Sequence, residues 1–337
     1  IDFWIDFKGT IPEGATPRCA IVRVRYHNYT CEHDIFVRQG YAPITINGNA
    51  ESNNNPAWTS YNVYRFDANN APVYTKSPLE EGSLFRRGNR TAILASNNDR
   101  SGFTFGVEPT GSFNVLEFGS ATTSQKTWSQ LAPSADDVKS RFASWSIAGD
   151  HERIATIEDF YTLESTSIHS NINKAYGVLY GDGATETQKS VKEAFGYDHN
   201  EDPTNSKKGM RGCFVFNVNN SRNIFFPIGK SGYGRRKGMT SNGEKVGTLR
   251  YAQRTDYYNN DGTGNIQYVP LFYDLFERPG AIYQCRNRLE STNNEVKNSS
   301  AFDINYFTMG FEGFENGASN NNNGSDSDAC FIRTVKY

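Results

Sequence analysis

Across 337 residues no stretch approaches the roughly 18 consecutive apolar residues that a membrane-spanning helix needs, so no direct membrane span is expected. An excess of one charge is missing too: 35 Lys and Arg stand against 37 Asp and Glu, a formal net charge of -2. That balance gives no general attraction for phosphate backbones or anionic lipid, which argues against nucleic acid and membrane surfaces as partners. Leu and Ala are scarce, and with them the makings of a helical bundle. The five cysteines (Cys19, Cys31, Cys213, Cys285 and Cys330) form no Cys-x-x-Cys pair, and an odd number cannot all pair within the chain. Cys19 and Cys31 could meet across a hairpin; mostly unpaired, buried thiols are expected. The chain opens on Ile1 with no charged-then-apolar leader, which reads as a processed or trimmed piece of something longer.

What is present is rings and amides. Hydrophobic residues make up only 36%, yet aromatics reach 14%, with 23 Phe and 19 Tyr beside 35 Asn and 30 Gly. Such a chain builds its core from aromatic strands and joins them with wide loops of Asn, Ser and Gly. Disorder is excluded by the rings, and the expected class is β-rich and extracellular. Five Asn-x-Ser/Thr sequons, at Asn28, Asn89, Asn219, Asn298 and Asn323, are the number chance supplies in so Asn- and Ser-rich a chain.

Along the chain, Val22, Val24 and Tyr26 alternate with Arg23, Arg25 and His27, the period of a half-buried strand. The segment 28–30 turns, Ile35-Phe36-Val37 returns, and Gly40 and Pro43 end the hairpin. A two-stranded hairpin is not stable alone, so it must pair with strands upstream or dock on the downstream part of the chain. Residues 47–56 read as a linker. Short aromatic strands come next, including 61–64 and 103–105. Two helices are expected. One has Thr156 and Asp159 as its capping pair ahead of Phe160 and Leu163; the other starts at the box Thr185-Glu186-Thr187-Gln188 and stops at Gly196. Strands resume at 214–218 and 224–226, then at 249–252, 281–283, 302–306 and 331–335. Residues 316–328, dominated by Asn, Ser, Gly and Asp, are a display loop or a disordered stretch.

The sequence carries no intact catalytic signature. Gly229-Lys230-Ser231 lacks the earlier glycine of a phosphate loop, since position 224 is Ile. Residues 256–262 miss the ligand spacing of a calcium loop. The acidic and histidine-bearing runs Cys31-Glu32-His33-Asp34 and 198–202 have no second cluster at ligand spacing. Paired carboxylates at Glu80-Glu81 and Asp136-Asp137 sit in polar surroundings, where glycoside chemistry wants one of two carboxylates desolvated. No cofactor and no metal are expected.

From about Trp58 onward the chain resembles a bacterial C-type-lectin-like domain, in the branch shared by formylglycine-generating-enzyme-like proteins and the major paralogous domains of Fibrobacter and Bacteroides surface proteins. The residues that carry the resemblance are Ser77-Pro78-Leu79-Glu80-Glu81-Gly82-Ser83-Leu84-Phe85, Arg153-Ile154-Ala155-Thr156, Phe225-Phe226-Pro227-Ile228-Gly229, Ala281-Ile282-Tyr283 and Cys330-Phe331-Ile332-Arg333. The active-site cysteine pair of the oxidases has no counterpart, because Cys285 and Cys330 are not close in sequence. Of the calcium ligands of animal lectins only Glu108-Pro109-Thr110 approaches the first set. A narrower resemblance is to Bacteroidales pilus-tip adhesins whose C-terminal lectin-like region is diversified by a retroelement, and residues 283–328 fit that composition.

These resemblances imply an α+β fold: the C-terminal part of a β module, a short β-sandwich-type segment, over residues 1–44, then a C-type-lectin-like domain over 45–337 with a variable-like region at 283–328. The implied function is a non-enzymatic adhesin at a bacterial cell surface, in the outer membrane or at a pilus tip. Its partners would be host or bacterial glycan or protein and other pilus or surface subunits. Tyr283, Arg286, Asn287, Arg288, Asn305, Asn316, Asn320 and Asn322 are the expected ligand contacts. Tyr supplies rigid area and Asn adaptable hydrogen bonds, as in antibody loops. Phe302, Ile304 and Tyr306 would fill the interior while Asp303 and Asn305 face out. The rival readings are a structural surface subunit without its own ligand and a formylglycine-type oxidase or glycan hydrolase.

Overall fold

The computed structural model describes residues 8–48, 55–76, 80–86, 89–94, 110–132, 151–156, 159–160, 162–163, 170–179, 210–227, 280–284, 301–305, 310–313 and 329–337. In chain order the strands are β1 (Arg18–Tyr26), β2 (Cys31–Gln39), β3 (Ala57–Trp58), β4 (Val63–Phe66), β5 (Pro72–Tyr74), β6 (Ser83–Arg86), β7 (Ala92–Leu94), β8 (Ser112–Leu116) and β9 (Thr123–Thr127). They continue as β10 (Glu152–Ile154), β11 (Ile172–Leu179), β12 (Met210–Asn217), β13 (Asn223–Pro227), β14 (Gly280–Gln284), β15 (Ala301–Asn305), β16 (Gly310–Gly313), β17 (Ala329–Cys330) and β18 (Thr334–Lys336).

Strands take 52% of these residues and helix 1%, so the class is β-rich and the α+β expectation is overturned. The physical reason is visible at the first expected helix. Its capping pair forms: the Thr156 N–H donates to Asp159 Oδ2 at 2.7 Å, and the Asp159 N–H donates to Thr156 Oγ1 at 3.2 Å. The Phe160 N–H reaches the Thr156 carbonyl, but Thr162 and Leu163 donate to Asp159 and Phe160, one residue short of α-helical spacing. Among the described residues the cap leads into a tight turn that buries Phe160 and Leu163 completely. The second expected helix, at 185–196, lies outside the described residues, as do the strands expected at 103–105 and 249–252 and the loop 316–328.

The strands form six sheets, the largest in the order β17-β6-β7-β8-β9 and the others β10-β18-β3, β11-β12-β13, β14-β15-β16, β4-β5 and β1-β2. One apolar cluster unites most of them, running through Ile44, Trp58, Leu84, Ile93, Val115, Phe160, Val215, Phe226, Tyr283, Phe331 and Val335. Its centre is aromatic: Trp58 meets Phe160 at 4.9 Å and Phe226 at 5.9 Å, and Phe226 meets Tyr283 at 5.5 Å, with edge contacts that suit ring quadrupoles. The last strand is the middle one of its sheet, with Val335 opposite Arg153 on one side and Trp58 on the other. Short aromatic strands can therefore build one core only once the C-terminal residues arrive.

The hairpin expected at the start is an uninterrupted antiparallel ribbon, paired from Arg18↔Gln39 to Tyr26↔Cys31. It docks on later strands of the chain. Phe36 stacks on Phe214 with centroids 4.7 Å apart and meets Phe216 at 4.8 Å. The Arg38 guanidinium donates to the carbonyls of Gly40, Ala42 and Asn223 and to Ser60 Oγ. Cys19 lies opposite Arg38 and Cys31 opposite Tyr26, at the two ends of the ribbon, so they cannot pair; both thiols and that of Cys213 are free. The segment after Ile44 is held too, for Arg222 donates to the Thr45 carbonyl and hydroxyl and Asn220 to the Ile46 carbonyl.

Where β12 faces β13 the backbones leave no room for a side chain. A Cβ on Gly212 would sit 2.3 Å from the Phe225 ring and 2.4 Å from the Phe226 carbonyl oxygen. Gly212→Ala is expected to lower stability by about 1–3 kcal/mol through overpacking, read as a drop in the urea midpoint with little change in slope.

Candidate binding surface and its anchor

The eight expected contact residues do not come together as one described surface. Tyr283 is a correction: it is fully buried, so it belongs to the core and not to a contact rim. Asn305 closes β15, with its backbone opposite Gly280 and Gly310. Arg286, Asn287, Arg288, Asn316, Asn320 and Asn322 lie outside the described residues. Of the expected interior set, Phe302 and Ile304 stand on β15 opposite Tyr283 and Ala281 in register, and Tyr306 lies outside the described residues.

The polar segment 285–328 is fastened at both ends. On its near side β14 carries Tyr283 into the core. On its far side Phe331, Ile332 and Arg333 are buried, and Tyr283 and Phe331 are joined by a parallel bridge. The residue that organises this junction is Arg333, which the sequence places on a strand without marking it as a hub, and whose side chain is fully buried. Its Nε donates to Asn62 Oδ1 at 2.8 Å, Nη1 to the Thr59 carbonyl at 2.9 Å and Nη2 to the Phe225 carbonyl at 3.2 Å. The guanidinium lies 4.7 Å from the Phe226 ring centre and 6.0 Å from that of Tyr283. Asn62 in turn donates Nδ2 to the Glu81 carbonyl at 2.7 Å and to the Tyr283 hydroxyl at 3.2 Å. The sequence signals here are the expected strands and the apolar flank Phe331-Ile332, which predict burial without saying that an arginine shares it.

The electrostatics are those of burial. Loss of water pushes the Tyr283 hydroxyl above its ordinary pKa, with the Arg333 charge and the Asn62 hydrogen bond pulling the other way. Loss of water lowers the Arg333 pKa, opposed by Tyr283. The group is an anchor with no open face, and it holds no reactive side chain poised for chemistry.

Two other polar groups have the ingredients of a reactive site and not its setting. At the seam of β5, β10 and β18, Glu152 Oε1 accepts from the Tyr74 hydroxyl and from Thr334 Oγ1, while Thr59 Oγ1 donates to the Thr334 carbonyl at 2.9 Å. These hydroxyls tie the carboxylate into a joint between strands. Cys213 is buried, and desolvation pushes its thiol up to about 12 against the pull of Lys174, which makes it a poor nucleophile. Among the described residues no group of three or more His, Cys, Asp or Glu is placed to hold a metal ion. Comparison with protein-family models, curated proteins and solved structures finds no match for this chain.

Two outcomes test the anchor. Arg333→Met strands the Asn62, Thr59 and Phe225 oxygens and should lower stability by about 3 kcal/mol or more, measured by chemical denaturation. Raised pKa values act at the alkaline end: Cys213, Tyr61, Tyr64 and Tyr283 all ionise later in the folded chain than in the unfolded one. Their contribution is therefore intact below the unfolded thiol value of about 9 and is lost as pH climbs through the unfolded tyrosine value of about 10 and beyond. Unfolding midpoints measured across that range should fall steadily, and tyrosinate absorbance should rise together with unfolding.

Proposed function

We propose that the chain is a non-enzymatic adhesin at a bacterial cell surface, binding glycan or protein through residues 285–328. The observation that carries the reading is the fastening of that segment at the Tyr283–Phe331 bridge, inside a buried core. Of its 44 residues, 10 are Asn and 6 are Ser, side chains that offer hydrogen bonds in several geometries and add little to a core. Because loop-closure entropy grows only slowly with length, the parts of the segment outside β15 and β16 can change without unsettling the strands that close it. The sequence resemblance to pilus-tip adhesins with a diversified C-terminal region supports the same reading.

In this reading Tyr283 is the hinge post, and contact falls to Arg286, Asn287, Arg288, Asn305, Asn316, Asn320 and Asn322. Glycan and host-protein arrays would find the target. Joint replacement of Asn316, Asn320 and Asn322 by Ala should then weaken binding at least about tenfold with an unchanged melting temperature. Tyr283→Phe should leave binding as it was. Full binding by the triple variant, or no target on any array, overturns the proposal.

A further inference from the structure

The open side of the β1–β2 ribbon is β1, where six of nine residues are exposed against two of nine on β2. Cys19, Ile21, Arg23 and Arg25 share one face with Arg38, Phe36, Asp34 and Glu32, and the base of this face docks through Phe36 and Arg38. Toward the tip it carries a charge ladder, with Arg23 bonded to Asp34 at 2.8 Å and Arg25 to Glu32 at 2.7 Å. The other face of β1 bears Arg18, Ala20, Val22, Val24 and Tyr26, and Val22 is 38% and Tyr26 43% exposed. Among the described residues β2 is the sole strand partner of β1, and their pairing runs without a bulge or a proline. A regular edge of this kind is a template for another strand.

The edge is complementary to itself. When two β1 strands pair antiparallel, only one register pairs all nine residues, and it sets Val22 of one copy opposite Val22 of the other. On the apolar side Ala20 then faces Val24, and Arg18 faces Tyr26, which brings a cation to a ring at each end. On the charged side Arg23 faces Ile21 and Arg25 faces Cys19, so no arginine stands opposite an arginine, and each keeps the carboxylate it already holds. A shift of one residue would set the charged face of one copy beside the apolar face of the other. A shift of two sets Arg23 against Arg23 in one direction and Arg25 against Pro17 in the other. The strand β2 offers no such edge: from Asp34 to Gln39 every residue is partly buried, and Arg38 and Gln39 are bonded to Asn223 and Gly9.

We propose that β1 pairs with β1 of a second copy of this chain, making a four-stranded sheet in the order β2-β1-β1-β2 about a two-fold axis at Val22. Such a contact is isologous and closes at two copies. The two ribbon bases, each docked on its own fold, then lie at opposite ends of the shared strands, about 30 Å apart. The apolar faces of the two ribbons join into one, with the two Val22 side chains at its centre. A contact of nine residues from each copy is small, so the dimer is weak. Pairing through β1 involves none of residues 285–328, so it stands or falls apart from the adhesin reading.

Sedimentation of the whole chain should show a monomer–dimer equilibrium, and amide exchange along β1 should slow at least about tenfold from dilute to concentrated samples while β12 and β13 stay unchanged. Val22→Lys sets two ammonium groups face to face; it should weaken the dimer at least about tenfold and leave the melting temperature of the dilute monomer as it was. Val22→Cys faces its own copy at the axis, so oxidised glutathione should yield a covalent dimer beyond anything the parent chain forms. A chain that stays monomeric at every concentration overturns the proposal. So does a dimer that Val22→Lys leaves intact, since that assigns the contact to another surface. Protection of β1 that is equal at every dilution overturns it too, since that assigns the edge to a strand of the same chain.

Discussion

The fold depends on one desolvated cation. Arg333 gives its three nitrogens to two segments remote from one another in sequence, at residues 59–62 and at Phe225, and reaches a third, at Tyr283, through Asn62. A guanidinium is suited to this because its donors are fixed in one plane and point in different directions, so a single side chain can set the relative placement of several backbones. An ammonium could satisfy one of these oxygens well and would leave the others without a donor. The aromatic faces of Phe226 and Tyr283 provide what counter-field they can.

Arg38 repeats the device at the ribbon. It too is answered by backbone carbonyls and one hydroxyl, and burial likewise lowers its pKa, with Cys19, Tyr61 and Tyr41 opposing the shift. The two sites meet along β13, where Asn223 accepts from Arg38 and Phe225 from Arg333. One strand is thus gripped by the beginning and the end of the chain. The β11-β12-β13 sheet owes its position to these bonds as well as to the stacking of Phe36 on Phe214.

The features legible in the sequence are the periodic ones. Alternation at Val22, Val24 and Tyr26 and at Phe214 and Phe216 marks β1 and β12 correctly, and the turns between hairpin strands fall where Asn and Ser cluster. Thr156 and Asp159 are legible as a cap but not as the whole of their turn, because a cap is local and the length of a helix is decided by what it packs on. Tyr283 reads as a contact residue and is a core one, since an aromatic next to a polar segment has the same composition whether it faces solvent or interior. Arg333 is legible as part of a strand but not as a buried hub: its partners are oxygens from distant segments, and pairing of that kind leaves no pattern in the sequence.

A binding segment that must vary while its scaffold stays fixed needs its ends set by residues that do not vary with it. Here those ends are Tyr283 and Phe331, 5.9 Å apart between ring centres, both in the core and both beside the Arg333 group. On the proposed reading, a substitution in residues 285–328 outside β15 and β16 changes what the surface can bond. A substitution at the junction changes whether three strands meet at all. On that same reading, stability and recognition would be carried by separate residues only a few positions apart, as a surface that changes its partner requires.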